Sequence, residues 1–339
     1  LPAVEAVQAF LTELGIDWSE VPQPLWQTLR RPFALKLFVE VIQRGASPSS
    51  VDSGSLLDRW LATAQLGTDP QRQDVLQLMD RLAGEMLETE TLWRPMDAFE
   101  AAHKDALVRA EACGLVVRSG AKIGFCHQSW LDDFQAKSFK TGKDLAEYTW
   151  RNQDSLFVRA TVLRSLERLR QIDPEAYHRA VSALLWSTTT RRHVKHLVVD
   201  VVSTSANPSD QEGAWVETLI RDDPILANRA FGKITERWSS WRAMLRKCLS
   251  TLMKNEEFQW RATQGLAAEA KEDPDYVVDL IRRHWSQPDQ DGLVFRVAEQ
   301  SGVVTPAVEQ LISEILSRTA IDPYAVCRCP LIPGQFLTG

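Results

Sequence analysis

The sequence predicts an all-α protein in which one small β-hairpin interrupts the first half and helix pairs fill the second. Three observations carry this. Apolar residues recur at three- and four-residue spacing along most of the 339 residues, the period of helices with one buried face. Strand-like alternation is nearly confined to residues 115–117 and 123–125, which flank a Ser119-Gly120 turn. From residue 146 onward, helix after helix starts at near-regular intervals.

Taken in order, residues 1–45 form the first helical segment. Leu25, Leu29, Pro32, Leu35, Phe38 and Val39 share a helical face that includes one proline. A proline at an inner turn removes a backbone hydrogen bond, so a helix is expected to start or kink at Pro32. Residues 45–54, Gly-Ala-Ser-Pro-Ser-Ser-Val-Asp-Ser-Gly, read as a polar linker. Residues 55–145 form the second segment, with helical runs over 101–113 and 129–140 on either side of the hairpin. Helices around one small hairpin are the parts of a winged-helix domain, an arrangement that by itself assigns no function.

Residues 146–339 form the third segment. Helix pairs are expected to start near Leu156, Arg191, Pro224, Glu256, Asp291 and Pro323, at intervals of 35, 33, 32, 35 and 32 residues. Periods of this size predict an α-solenoid, in which each pair buries its stripe against its neighbours. Phe231, Ile234 and Trp238 have the needed spacing, as do Val278, Ile281 and Trp285. The word Arg-Ala-Thr occurs at 159–161 and again at 261–263. Tetratricopeptide repeats have a similar period, but their Trp…Leu-Gly…Tyr pattern is not visible, which leaves HEAT-like pairs as the preferred reading. Asp-Pro at 69–70, 173–174, 223–224, 273–274 and 322–323 marks helix starts rather than the repeat. Aspartate accepts from free first-turn amides, and proline suits the first helical position.

Composition bounds the function classes. A hydrophobic content of 44% with 25% charged residues is that of an ordinary globular chain of about two domains. The net charge of −6 argues against non-specific binding to phosphate backbones, so a nucleic-acid partner is not expected. Cys113, Cys126, Cys248, Cys327 and Cys329 are odd in number and lack zinc or redox spacing, which reads as reduced thiols in a cytoplasmic protein. Neither a signal peptide nor an apolar run of spanning length is present, so no membrane association is expected. The first residue is Leu1 rather than Met, and the expectation is a piece of a longer chain.

Chemistry-bearing motifs are sparse. There is no Walker-type phosphate loop, Gly-x-Gly-x-x-Gly, His-Glu-x-x-His or Gly-x-Ser-x-Gly. The run 191–196, Arg-Arg-His-Val-Lys-His, is the strongest basic cluster. It reads first as a solvated patch, second as a contact for an anionic partner. His193 and His196 share a helix face but have no further ligand at metal spacing. Of the twelve tryptophans, most, including Trp186, Trp238, Trp260 and Trp285, sit at apolar helical spacing and are expected in the core. The remainder are candidate anchors for a protein partner. Asp132 and Asp133 are neighbours on one helix and point in different directions, which argues against a shared carboxylate site. The segment 125–136, Phe-Cys-His-Gln-Ser-Trp-Leu-Asp-Asp-Phe-Gln-Ala, places His127 between a strand end and a helix start. There it could cap the helix, meet an anion or pack internally.

This segment resembles the Phe-x-His-x-Ser-aromatic signature in the winged-helix domain of STAND-class ATPases, the NACHT-type signal-transducing NTPases. Residues 25–37, Leu-Trp-Gln-Thr-Leu-Arg-Arg-Pro-Phe-Ala-Leu-Lys-Leu, are similar to their helical lid. The resemblance covers residues 1–145, and the order of lid, winged helix and repeats extends it. One departure is that the aromatic after the acidic pair is Phe134, with Ala136 two residues on.

The resemblance implies that Pro32 packs on an adenine and that His127 contacts the β-phosphate of ADP. It also implies ADP or ATP with Mg in a parent protein whose ATPase core lies upstream, no cofactor held by this chain alone, and no enzymatic activity of its own. The repeats would recognise a trigger protein, and activation would bring a homo-oligomer, as in signal transduction and innate antiviral defence, including bacterial antiphage immunity. The alternative is a helical-repeat interaction scaffold with no nucleotide role. A third reading, an enzyme on a helical-repeat fold, requires a positive concave face with a buried carboxylate.

Overall fold

Where the apolar period is strongest, the chain is helical. The computed structural model describes residues 1–52, 56–155 and 157–318. The expected pair starts Leu156 and Pro323, with Cys327 and Cys329, lie outside these residues, as do Ser53 and Gly54 of the linker. The chain divides into two compact units, Leu1–Val194 and Lys195–Gly339.

The first unit opens with α1 (Val4–Glu13), α2 (Trp26–Leu29), α3 (Pro32–Gln43), α4 (Leu56–Thr63) and α5 (Asp69–Thr89). Pro32 is the first residue of α3, where its missing N–H costs nothing and its fixed φ suits the helix. Leu25, Leu29 and Phe38 are fully buried from this stretch, alongside Trp26 and Val41. At Asp69-Pro70 the aspartate is not the cap. Thr68 precedes the helix and forms a reciprocal capping box with Gln71.

A short strand β1 (Arg94–Pro95) leads into α6 (Asp97–Ala112), β2 (Val116–Ser119), β3 (Lys122–Phe125) and α7 (Gln128–Lys137). The hairpin pairs Val116 with Phe125 and Ser119 with Lys122, and Gly120 takes the left-handed conformation of its turn at φ 60°. The sequence reading contained two strands; the structure adds β1, giving an antiparallel sheet in the order β1-β3-β2. Only two residues of β1 pair, Arg94 with Ile123 and Pro95 with Lys122. No alternation can announce a strand of that length.

Helices α8 (Gly142–Arg151), α9 (Val158–Ile172) and α10 (Pro174–Trp186) complete the first unit. The expected boundary at 146 falls inside α8. Beyond it α9 buries Val162, Leu166 and Leu169 and packs along α7. Arg168 on α9 pairs with Asp58 on α4 at 3.0 Å, and the first compact unit runs on to Val194.

The division falls in the first turn of α11 (Arg192–Ser203). The second unit continues with α12 (Asp210–Asp222), α13 (Pro224–Ile234), α14 (Trp238–Leu245), α15 (Leu249–Met253), α16 (Gln259–Ala270), α17 (Pro274–His284), α18 (Asp291–Ser301) and α19 (Pro306–Arg318). Helix α16 packs along α13, α17 and α18, and α17 packs along α19. Asp173, Asp223 and Asp273 cap α10, α13 and α17, each accepting the amide three residues on, from Ala176, Leu226 and Tyr276. Among the described residues, no helix is long and apolar enough to cross a membrane.

A heavily bonded buried group of the second unit is Glu269 on α16, whose side chain is inaccessible to solvent. Its carboxylate accepts two hydrogen bonds from Arg242 at 2.9 Å each and one from the Trp238 indole at 2.8 Å. Arg246 Nε lies 2.9 Å from Oε1 of the same carboxylate. A buried carboxylate requires this degree of compensation.

Candidate functional site

His127 stands where β3 gives way to α7. Its backbone is extended, at φ −145° and ψ 139°, and its Nδ1 accepts the Ser129 amide at 3.1 Å, capping the helix. An imidazole that accepts at Nδ1 is neutral and carries its proton on Nε2, so a donor remains on the other edge of the ring. Burial pushes the His127 pKa below its ordinary value, and the Asp132 carboxylate opposes that shift.

One face of the ring is covered. Phe33, the residue after Pro32, lies parallel to the imidazole with ring centroids 3.7 Å apart and planes 5° apart. Phe33 also meets Trp130 edge-on at 5.8 Å, and Trp130 meets Trp60 at 4.9 Å. The Trp60 indole donates to Glu40 Oε2 at 2.5 Å while the Arg44 guanidinium covers its ring at 5.0 Å. This column joins α3, α4 and α7 and holds the start of α3 against the hairpin–helix junction.

The two residues singled out in the sequence, Pro32 and His127, are thus linked through a single intervening side chain. Pro32 is exposed and His127 half-buried. Arg31 before it is extended, as a residue before proline prefers. The first amide to find a partner in this turn is that of Leu35, bonded to the Arg31 carbonyl. Those of Phe33 and Ala34 come earlier in the turn, where helices leave donors free. Lys36 lies one turn into α3, near enough to the Cys126 thiol to act on its pKa. The assembled groups are a flat apolar ring, first-turn amides, an imidazole N–H and an ammonium. Together they suit a planar apolar moiety that carries an anion.

Cys126, adjoining His127, is not prepared as a thiolate. Burial pushes its pKa up, and Sγ donates to the Gly114 carbonyl. Asp132 and Asp133 diverge as expected, Asp132 accepting from Gln128 at 2.7 Å and Asp133 pairing with Lys137 at 2.6 Å. Lys137 also pairs with Asp58 at 2.7 Å, so this acidic neighbour is spent on tying α7 to α4.

Other sequence candidates lie elsewhere. The run 191–194 is engaged rather than simply solvated: Arg191 pairs with Asp154 and its amide donates to Gln153 Oε1, while His193 Nε2 contacts the Gln153 carbonyl at 3.1 Å. Trp238 and Trp285 are buried as expected, but Trp186 and Trp260 are 40% and 45% exposed. Trp186 is the last residue of α10 and Trp260 the second of α16, positions where spacing alone does not separate core from surface. Sequence reasoning missed Phe33 and Trp130 as site residues, although both stand inside the two motifs. Their aromatic character next to Pro32 and His127 was the available signal.

Comparison with protein-family models, curated proteins and solved structures finds no match to this chain in any of the three.

Proposed function

We propose that this chain is the regulatory and sensor region of a STAND-type ATPase, with a helical lid in residues 1–45 and a winged-helix domain in 55–145. HEAT-like repeats in 146–339 would then recognise a trigger protein. The observation that carries the reading is the Phe33–His127 stack. It brings together two motifs that are separated by more than ninety residues and that the resemblance assigns to one nucleotide. A nucleoside diphosphate fits the groups present. Pro32 offers an apolar surface to a base, and His127 Nε2 and the first-turn amides of α3 offer donors to phosphate.

In this reading the ATPase core and Mg-nucleotide chemistry belong to further polypeptide of the same cytoplasmic protein. The lid and winged helix close on ADP in the resting state, and trigger binding shifts the population toward an open, ATP-bound oligomer. Antiphage defence in bacteria is the setting to which the resemblance points.

The test is nucleotide retention by the full-length product of the source gene, purified without added nucleotide. His127→Ala is expected to lower bound ADP at least about tenfold, as the loss of a charge-assisted contact of ~1.5–3 kcal/mol implies, and Pro32→Ala to lower it several-fold through lost apolar contact with the base. ADP content equal to wild type in both variants, or a full-length product without a phosphate loop, sinks the reading.

A further inference from the structure

The arginine of the repeated Arg-Ala-Thr word has no part in the site above, and the second unit shows what it does. Arg229 on α13, Arg261 on α16 and Arg296 on α18 each occupy the sixth residue from the pair starts Pro224, Glu256 and Asp291. Each reaches back toward an earlier helix. Arg229 holds Asp200 of α11 through Nε at 2.8 Å and Nη2 at 2.5 Å. The Arg261 guanidinium lies over Gly232 of α13, where an added Cβ would come within 3.1 Å of Nη2. Arg296 covers the Trp260 ring of α16 at 5.5 Å.

The charge balance of this row is uneven. Elsewhere in the unit Arg242, Arg246, Lys247, Arg282 and Arg283 all meet carboxylates. Arg261 instead donates to the neutral Gln264 at 2.7 Å, and Arg296 has only the indole face, so among the described residues neither meets a carboxylate. Beside these two cations stands Trp260, which is exposed, directly precedes Arg261 in sequence and carries Arg296 over its ring. Guanidinium groups without a counter-charge next to an exposed tryptophan have the composition of a recognition surface.

We infer that this face of α13, α16 and α18 binds an extended acidic peptide segment, with its carboxylates on Arg261 and Arg296 and Trp260 as apolar anchor. The inference deepens the proposed trigger recognition and rests on it for its biological meaning. Packed helices lie ~8–10 Å apart, and an extended chain rises about 3.3 Å per residue. One arginine per helix therefore matches one acidic side chain every third residue. In a polyproline II segment, with about three residues per turn, those side chains also share one side. A nucleic acid fits less well, because its unbroken row of phosphates would also meet the exposed carboxylates of Glu257 and Glu299, whereas a peptide with an acidic side chain at every third residue needs to meet only the two arginines.

The test uses the whole 339-residue chain and fluorescence anisotropy of a labelled peptide of four Glu-Pro-Ser triplets. Wild type is expected to bind it, more weakly as ionic strength rises. Arg261→Glu with Arg296→Glu should weaken binding at least about tenfold. Arg283→Glu, an exposed charge paired within its own helix α17, should leave binding unchanged. If Arg261→Glu loses helical circular dichroism, Arg296→Glu alone decides, with about fivefold weaker binding expected. The inference is overturned if wild type does not bind the peptide, if Arg283→Glu weakens binding as much as the paired reversals, or if oligothymidylate of the same charge binds more tightly. ADP retention by the full-length protein is read separately, so failure here is distinguishable from failure of the nucleotide reading.

Discussion

The imidazole of His127 is constrained from two directions, by the Ser129 amide at Nδ1 and by the Phe33 ring on its face. Protonation at Nδ1 would turn the cap acceptor into a donor facing a donor. The sign of the pH effect follows from the lowered pKa, since the folded state holds this proton less tightly than the unfolded chain, whose ordinary value is 6.5. The contribution to stability is therefore complete above that value and is lost as the pH falls through it toward the lower folded pKa. Asparagine keeps a cap acceptor and does not titrate. In urea unfolding between neutral and mildly acidic pH, wild type should lose stability relative to His127→Asn, and parallel curves would refute the cap argument. At this scale the sequence revealed residue types well and partners poorly. Pro32 and His127 stand out by their local context, whereas the Phe33 contact spans the chain and depends on packing that no local period encodes.

Among the elements, helix starts were the most legible feature. Pro32 opens α3, and Asp173, Asp223 and Asp273 cap the helices that their Asp-Pro pairs announce. Both rest on chemistry confined to a few adjacent residues. Strand β1 was not legible, because a two-residue strand containing Pro95 exists only through its pairing with β3. A close approach of two helices is similarly invisible in one of them. Gly142 begins α8 against the backbone of α10, where an added Cβ would lie 2.8 Å from the Ala180 nitrogen and closer still to the Ala176 carbonyl. That carbonyl belongs to the backbone, so it cannot swing away as a side chain could. Gly142→Ala should destabilise the protein by about 1–3 kcal/mol, the usual range for overpacking, as measured by the denaturation midpoint. A neutral result would mean that α8 and α10 shift apart at little cost.

Over the whole molecule, the mostly helical character was legible because the apolar period recurs along most of the sequence, while the unit boundary at Val194 was not. A boundary reflects which helices share buried surface, and α9 joins the first unit through Asp58 and α7. In the second unit the network around Glu269 joins α14, α16 and the start of α17, since Arg246 also pairs with the cap residue Asp273. Glu269→Ala removes a buried anion shared by two arginines that are themselves part-exposed and keep Asp273 nearby, so the cost is that of lost charge-assisted hydrogen bonds, about 1.5–3 kcal/mol. Hydrogen exchange should show the loss of protection concentrated in α14, α16 and α17. Undiminished protection there would mean that the arginines find solvent without loss.

The aspartate caps have a further chemical consequence. An Asp-Pro bond is the peptide link most readily broken by warm dilute acid, because the neighbouring carboxyl assists scission of the bond to proline. In α10, α13 and α17 that carboxylate is occupied by the amide three residues on. Each cap therefore protects the bond it adjoins for as long as its helix start stays closed. The order in which acid cuts at residues 173, 223 and 273 becomes a record, readable by mass, of which helix start opens first.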